Sequence, residues 1–419
     1  MRSRSRALVL TPTLLLIATL PLACQPGATA VPAVDPAVPA GSILGESGLG
    51  ARVFVVERDS GSLAVYDFQR RQLLPHRIEG LGDLRHATMT FSPDLRWAYL
   101  ATRSGLLTRI DLTTLERAGD AQVSNSSIDI AITQDGRFIA TAEYSPGGVT
   151  ILDSQSLKVV KRIEATFVRD DEILPSRVTG IVDAPGNKLI CVLMEGAEIW
   201  VIDAASPDFP VIARVPTRED QPYDAMITPD GRSYLVGHIS SGEVSLLDVA
   251  APKNALLEVS LRDPEKSFDK STPVKLPHLA SWAVAGRRAF VPLVGERRLA
   301  VLDTTTWQLE RSVEVLGNPV YAVASPSHNE IWVSFSGEGD DKFLQVIDAR
   351  TLEPKKTIEI GRRIYHFDFT PRGAYVLVSA NADNLLALVN ASTYAVEDRQ
   401  SLRSPSGIFG VWRAYRIGL

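Results

Sequence analysis

An all-β chain closed as an eight-bladed β-propeller is what this sequence predicts, and three observations carry the prediction. A short alternating strand ending on an acid recurs eight times, at Asp67, Asp111, Asp153, Asp203, Asp248, Asp303, Asp348 and, as the amide, Asn390. The copies are spaced by 44, 42, 50, 45, 55, 45 and 42 residues, the period of a four-stranded blade. Between them lie turns of one kind, among them Ser92-Pro93-Asp94, Gln134-Asp135-Gly136, Pro229-Asp230-Gly231 and Pro371-Arg372-Gly373, which reverse the chain between two apolar runs. The composition agrees: of 419 residues, 45% are hydrophobic and 22% charged, as in ordinary globular chains.

Taken in order, residues 1–23 read as a secretory signal peptide, because Arg2, Arg4 and Arg6 precede an apolar run from Ala7 to Leu22 that Pro12 interrupts. Leu22-Ala23-Cys24 resembles the end of a bacterial lipobox, which makes Cys24 the expected lipidation site. Cleavage after Ala28-Thr29-Ala30, releasing a soluble protein, is the alternative. Both routes lead to the periplasm, with the membrane reached only through a lipid anchor. Loss of residues 1–23 removes three Arg and no acid, taking the formal charge from −5 to −8. That balance disfavours a nucleic acid or an anionic lipid surface as partner. Residues 24–49, rich in Pro, Ala and Val, form a tether.

Residues 50–419 form the propeller. The first unit, Val53 to Asp67, lacks a preceding inner strand, and the C-terminal Gly407 to Trp412 has no blade of its own. These N- and C-terminal strands are expected to share one blade and close the ring; seven blades with an irregular end is the alternative. Cys191, inside Leu189-Ile190-Cys191-Val192-Leu193, reads as a buried small hydrophobe.

In such a fold the segment crossing into each inner strand lines the mouth of the central channel. These segments include Arg85-His86-Ala87, Ser127-Ile128-Asp129, Arg177-Val178-Thr179, Pro222-Tyr223-Asp224, Pro277-His278-Leu279, Pro319-Val320-Tyr321 and Ile364-Tyr365-His366. Three of the six histidines converge there. A channel filled for structure alone would take small or apolar residues, so the enrichment points to a ligand site. Arg103 and Arg177 are candidates for holding carboxylates, although either is as readily a structural salt bridge. Tyr144, Tyr223 and Trp282 are candidates for stacking on a flat ligand. The strand-ending acids recur too regularly for catalysis and read as turn formers. The chain has no P-loop, no Gly-x-Ser-x-Gly and no His-Glu-x-x-His. It also has no Cys-x-x-Cys-His, so no covalent haem c is expected.

Gly80-Leu81-Gly82-Asp83-Leu84-Arg85-His86-Ala87, Gln221-Pro222-Tyr223-Asp224-Ala225, Pro277-His278-Leu279-Ala280-Ser281-Trp282 and Pro405-Ser406-Gly407-Ile408-Phe409 occur in this order. Together they make the chain from about residue 50 to its end resemble the NirF family, the haem d1 biosynthesis proteins of denitrifying bacteria. The resemblance implies a propeller related to the haem d1 domain of cytochrome cd1 nitrite reductase, with haem d1 or its precursor as ligand or substrate. His86 falls where that domain has its proximal iron ligand. Arg103 and Arg177 would pair the ligand's carboxylates, and Tyr144, Tyr223 and Trp282 would cover its ring. His278 and His366 would act as acid or base on the distal face, and Asp129 would orient a histidine or exchange a proton. The implied protein partners are cytochrome cd1 nitrite reductase and other haem d1 maturation proteins. Lacking haem c, the chain is not expected to reduce nitrite itself. The competing readings are a non-catalytic scaffold of the cell envelope and a propeller-type hydrolase or lactonase.

Overall fold

The computed structural model describes residues 47–218, 221–239, 241–261 and 282–417. The expected leader, Cys24, nearly all of the tether and His278 lie outside the described residues. No helix among them is long and apolar enough to cross a membrane.

Eight four-stranded antiparallel sheets follow one another around a ring. Their inner strands are Pro405–Gly410, Thr88–Phe91, Ser126–Ile132, Val178–Ala184, Pro222–Ile227, Ala283–Ala285, Asn318–Ala324 and Ile364–Phe369, in blades 1 to 8. Each blade's second and third strands are packed on both faces by the neighbouring blades. Strands such as Arg52–Glu57 are therefore buried at every position, and between their charged ends the sequence is a continuous apolar run, Val53-Phe54-Val55-Val56, rather than an alternation. Cys191 sits in such a strand, fully buried, with its thiol pushed up to about 12 by that burial.

The recurring acids close the turns that the spacing predicts. Asp67 accepts the backbone N–H groups of Gln69 and Arg70, Asp303 those of Thr305 and Thr306, and Asn390 those of Ser392 and Thr393. A carboxylate or amide oxygen two or three residues before an unpaired N–H satisfies it without a helix or a ladder.

The ring closes as expected. The strand Pro405–Gly410 pairs with Arg52–Glu57, with Val53 opposite Gly410 and Phe54 opposite Phe409. Ile408, Phe409, Val411 and Trp412 join Val53, Val55 and Leu100 in a single apolar cluster. One two-stranded element stands apart from the blades: the hairpin Thr166–Arg169 and Glu172–Pro175, inserted where the chain crosses from blade 3 to blade 4.

Most inner strands carry a register break at the end where the chain enters them. It falls between Ser127 and Asp129, Thr179 and Val182, Pro222 and Ala225, Pro319 and Tyr321, and Ile364 and His366. An extra residue bends a strand and turns a side chain out of its alternating face. Repeated around the ring, the break aims polar side chains at the central axis. Gly180 lies at one such break with φ +60°, and a Cβ there would lie 2.8 Å from that of Ala225.

Candidate functional site

The bulged strand ends surround a cavity of about 190 Å³ on the propeller axis. Its walls are apolar over much of their extent, with Leu84, Met89, Ile130, Ile181 and Val320 among them, and polar groups enter at Asp129, Asp224, Tyr321, His366 and Arg413. His86, half-buried, lies on its rim. A shallower hollow shares Arg85, His86 and Tyr365 with the cavity and adds Arg58 and Arg103.

The rim guanidiniums differ in how their charge is met. Arg85 forks onto Asp83, with Nε and Nη2 at 2.9 and 2.5 Å, and holds that carboxyl down at about 2. Arg177 is paired with Glu195 at 2.5 Å. Arg58 lies 4.8 Å over the Tyr365 ring and Arg103 lies 4.5 Å over that of Tyr144. Both are half-buried, and neither has a carboxylate within salt-bridge reach among the described residues. Arg58 also donates from Nη2 to the Arg85 carbonyl at 3.3 Å, and a partly desolvated cation with no carboxylate in salt-bridge reach is a site for an anion.

Asp129 is 4% exposed, and its Oδ2 accepts one hydrogen bond, from the Gly180 N–H at 2.9 Å. Burial pushes its carboxyl up to about 7. An unfolded Asp ionises near 4, so the native state keeps this proton while the unfolded state loses it. The stabilising contribution is present below about pH 4 and is lost as pH rises towards 7. The Asp129→Asn variant is therefore expected to match the natural chain near pH 4. At pH 8 it should be more stable by up to about 4 kcal/mol, as read by urea unfolding at both pH values. Tyr223 stands beside this acid, its hydroxyl 2.9 Å from that of Tyr144.

At the cavity floor, His366 Nε2 lies 2.7 Å from the Tyr321 hydroxyl, and the Ile408 N–H donates to its Nδ1 at 3.1 Å. Burial, with the Arg413 charge adding, pushes the imidazole down to about 3. Arg413 faces Asp368 at 3.4 Å, and both are buried.

The residues expected from sequence separate into three groups. His86, Asp129, Tyr223 and His366 line one cavity, with Arg103 in the adjoining hollow. Tyr144 and Arg177 stand behind the rim, Arg177 at 5.4 Å from the Tyr144 ring and engaged by Glu195. Trp282 is placed elsewhere: it is 5% exposed, in the apolar cluster between blades 5 and 6 with Val244 and Ala289. A tryptophan beside an inner strand of only three residues, Ala283–Ala285, fills the space between blades. Not singled out from sequence were Arg58, Tyr321, Asp368 and Arg413. Arg58 sits in the turn between two strands of the closing blade, and Arg413 lies beyond the last strand, so neither belongs to a crossing segment. The remaining histidines are structural: His76 bonds to the Leu115 carbonyl, His238 to Ser245 and His328 to Ser327.

Comparison with known proteins gives a consistent set of likenesses. Residues 48–414 match the family described as the Cytochrome D1 heme domain. The chain is 39% identical over 375 residues to Protein NirF of Pseudomonas aeruginosa, covering 89% of this chain and 94% of that one. It is 28% identical over 338 residues to the dihydro-heme d1 dehydrogenase of the same organism, covering 78% of this chain and 64% of that one. Among solved structures, dihydro-heme d1 dehydrogenase NirN in complex with DHE superposes with a TM-score of 0.75 at 22% identity, covering 88% of this chain and 77% of that one.

Proposed function

Because the chain belongs to the Cytochrome D1 heme domain family, we propose that it takes part in haem d1 biosynthesis, binding a late d1-type tetrapyrrole in the mouth of its propeller. There it modifies the tetrapyrrole or passes it on during nitrite reductase maturation. The reading includes a periplasmic location, with Cys24 as lipid anchor, and cytochrome cd1 nitrite reductase and other haem d1 maturation proteins as partners. Likeness to a NirF protein and to a dihydro-heme d1 dehydrogenase supports a step late in the making of this ring.

The observation that carries the reading is the pair Arg58 and Arg103, which have no carboxylate within salt-bridge distance among the described residues and flank His86 above an apolar cavity. A d1-type tetrapyrrole is an apolar plate with carboxylates at its edge and iron at its centre. The apolar walls suit a face of the plate, the guanidiniums suit the carboxylates, and neutral imidazole suits the iron. His366, the other described imidazole on the cavity, has both nitrogens engaged within the protein, and on this reading His86, on the rim, is the residue that would hold the iron.

Removing either guanidinium tests this. Arg58→Ala and Arg103→Ala are each expected to weaken haem d1 binding about tenfold, as loss of a charge-assisted bond does, and to flatten its dependence on salt. Affinity unchanged in both variants would contradict the carboxylate assignment.

A further inference from the structure

At the floor of the cavity one phenol oxygen is held from two sides. The Ile408 N–H donates to His366 Nδ1, so that nitrogen is the acceptor of a neutral ring whose proton sits on Nε2. His366 Nε2 is 2.7 Å from Tyr321 Oη and therefore donates to it. The Arg413 guanidinium places its charge beside this hydroxyl, and Asp368 holds Arg413 in place. The His366 N–H occupies a lone pair of Oη, and the Arg413 cation favours the oxygen's other lone pair over its proton on that side. Among the described residues no acceptor meets the Tyr321 hydroxyl proton. With His366 and Arg413 on the acceptor side, that proton is left to the cavity, which Tyr321 lines while only 6% exposed.

Resting on the tetrapyrrole reading above, we propose that Tyr321 is a ligand-orienting hydrogen-bond donor, its hydroxyl meeting a carboxylate or ring-oxo oxygen at the inner edge of the bound macrocycle. A nearly four-fold plate fits an apolar cavity in several rotations. Guanidiniums at the rim and one aimed donor at the floor select a single one. Burial raises the phenol's pKa, so the group stays protonated at neutral pH and serves as donor rather than base. His366, which the sequence suggests as an acid or base towards the ligand, becomes a positioning residue that acts through Tyr321.

The test is a titration of haem d1 into the whole chain and into Tyr321→Phe and His366→Gln, with folding checked by near-ultraviolet circular dichroism. The bound ligand's C=O and carboxylate bands are read by infrared difference spectroscopy. Tyr321→Phe is expected to bind about five- to tenfold more weakly, with one oxygen band returning to its unbonded frequency. His366→Gln, whose amide N–H can still donate to Oη, is expected to stay within about twofold and to keep that band. Tyr321→Phe binding like the natural chain with the same bands would overturn the assignment. So would loss of binding confined to His366→Gln. Failure of the natural chain to bind haem d1 would instead remove the tetrapyrrole reading itself.

Discussion

Replacing His86 by Ala is expected to abolish the axial-ligand bands of haem d1 bound to this chain and to weaken binding by one to two orders of magnitude, roughly the effect of losing an iron-orienting contact. The residue stands where the apolar cavity meets the cationic rim, shared by both hollows. With the tetrapyrrole held as proposed, its face on the apolar walls and its carboxylates against Arg58 and Arg103, its iron would be held by this imidazole. Exogenous imidazole, entering the space left by the deleted ring, should restore the bands without restoring the full affinity. Arg103→Ala should do the reverse, lowering affinity and leaving the bands in place. Absorbance during titration separates the two kinds of loss. Bands that persist in His86→Ala would move the iron ligand to another residue.

Deleting residues 404–419 is expected to prevent folding altogether. The strand Pro405–Gly410 is the innermost of blade 1. Its removal exposes the inner edge of Arg52–Glu57 and uncovers the cluster that Ile408, Phe409, Val411 and Trp412 complete. Burying each such side chain contributes about 1.5–3 kcal/mol, so the four together approach the whole stability of an ordinary domain, about 5–15 kcal/mol. The truncated chain should give no cooperative thermal transition and should bind an exposed-surface dye. The same segment supplies the Ile408 N–H to His366 and the Arg413 charge beside Tyr321, so the closure that holds the ring also sets the cavity floor. A truncated chain that melts cooperatively would show that the other seven blades stand without it.

The fold was legible because its signal is a repeat. The third strand of each blade ends on an acid, or on Asn390 in the last, that satisfies the N–H groups of the turn after it, and that requirement reappears about every 45 residues whatever the intervening sequence does. The unpaired first unit at Val53 and the orphan strand at Gly407 follow from the same count, and they meet as Phe54 opposite Phe409. The site was legible only in part. The crossing segments could be aligned, which placed His86, Asp129, Tyr223 and His366 near one another. Which way each side chain points depends on register breaks such as that between Pro319 and Tyr321, and a one-residue bulge leaves no compositional mark in a strand. Tyr321 was therefore visible as a channel-mouth residue but not as the donor that His366 and Arg413 align. Trp282 illustrates the opposite error: an aromatic beside a crossing segment packs between blades when the inner strand next to it is short. Arg58 and Arg413 lie outside the crossing segments, and only the closed ring brings them to the mouth and the floor.

Whether this propeller mouth receives a d1-type tetrapyrrole is decided by an equilibrium titration of haem d1 into the whole chain, followed by absorbance. Saturable one-to-one binding with shifted bands is expected. A folded chain that leaves the haem d1 spectrum unchanged at every concentration would contradict it.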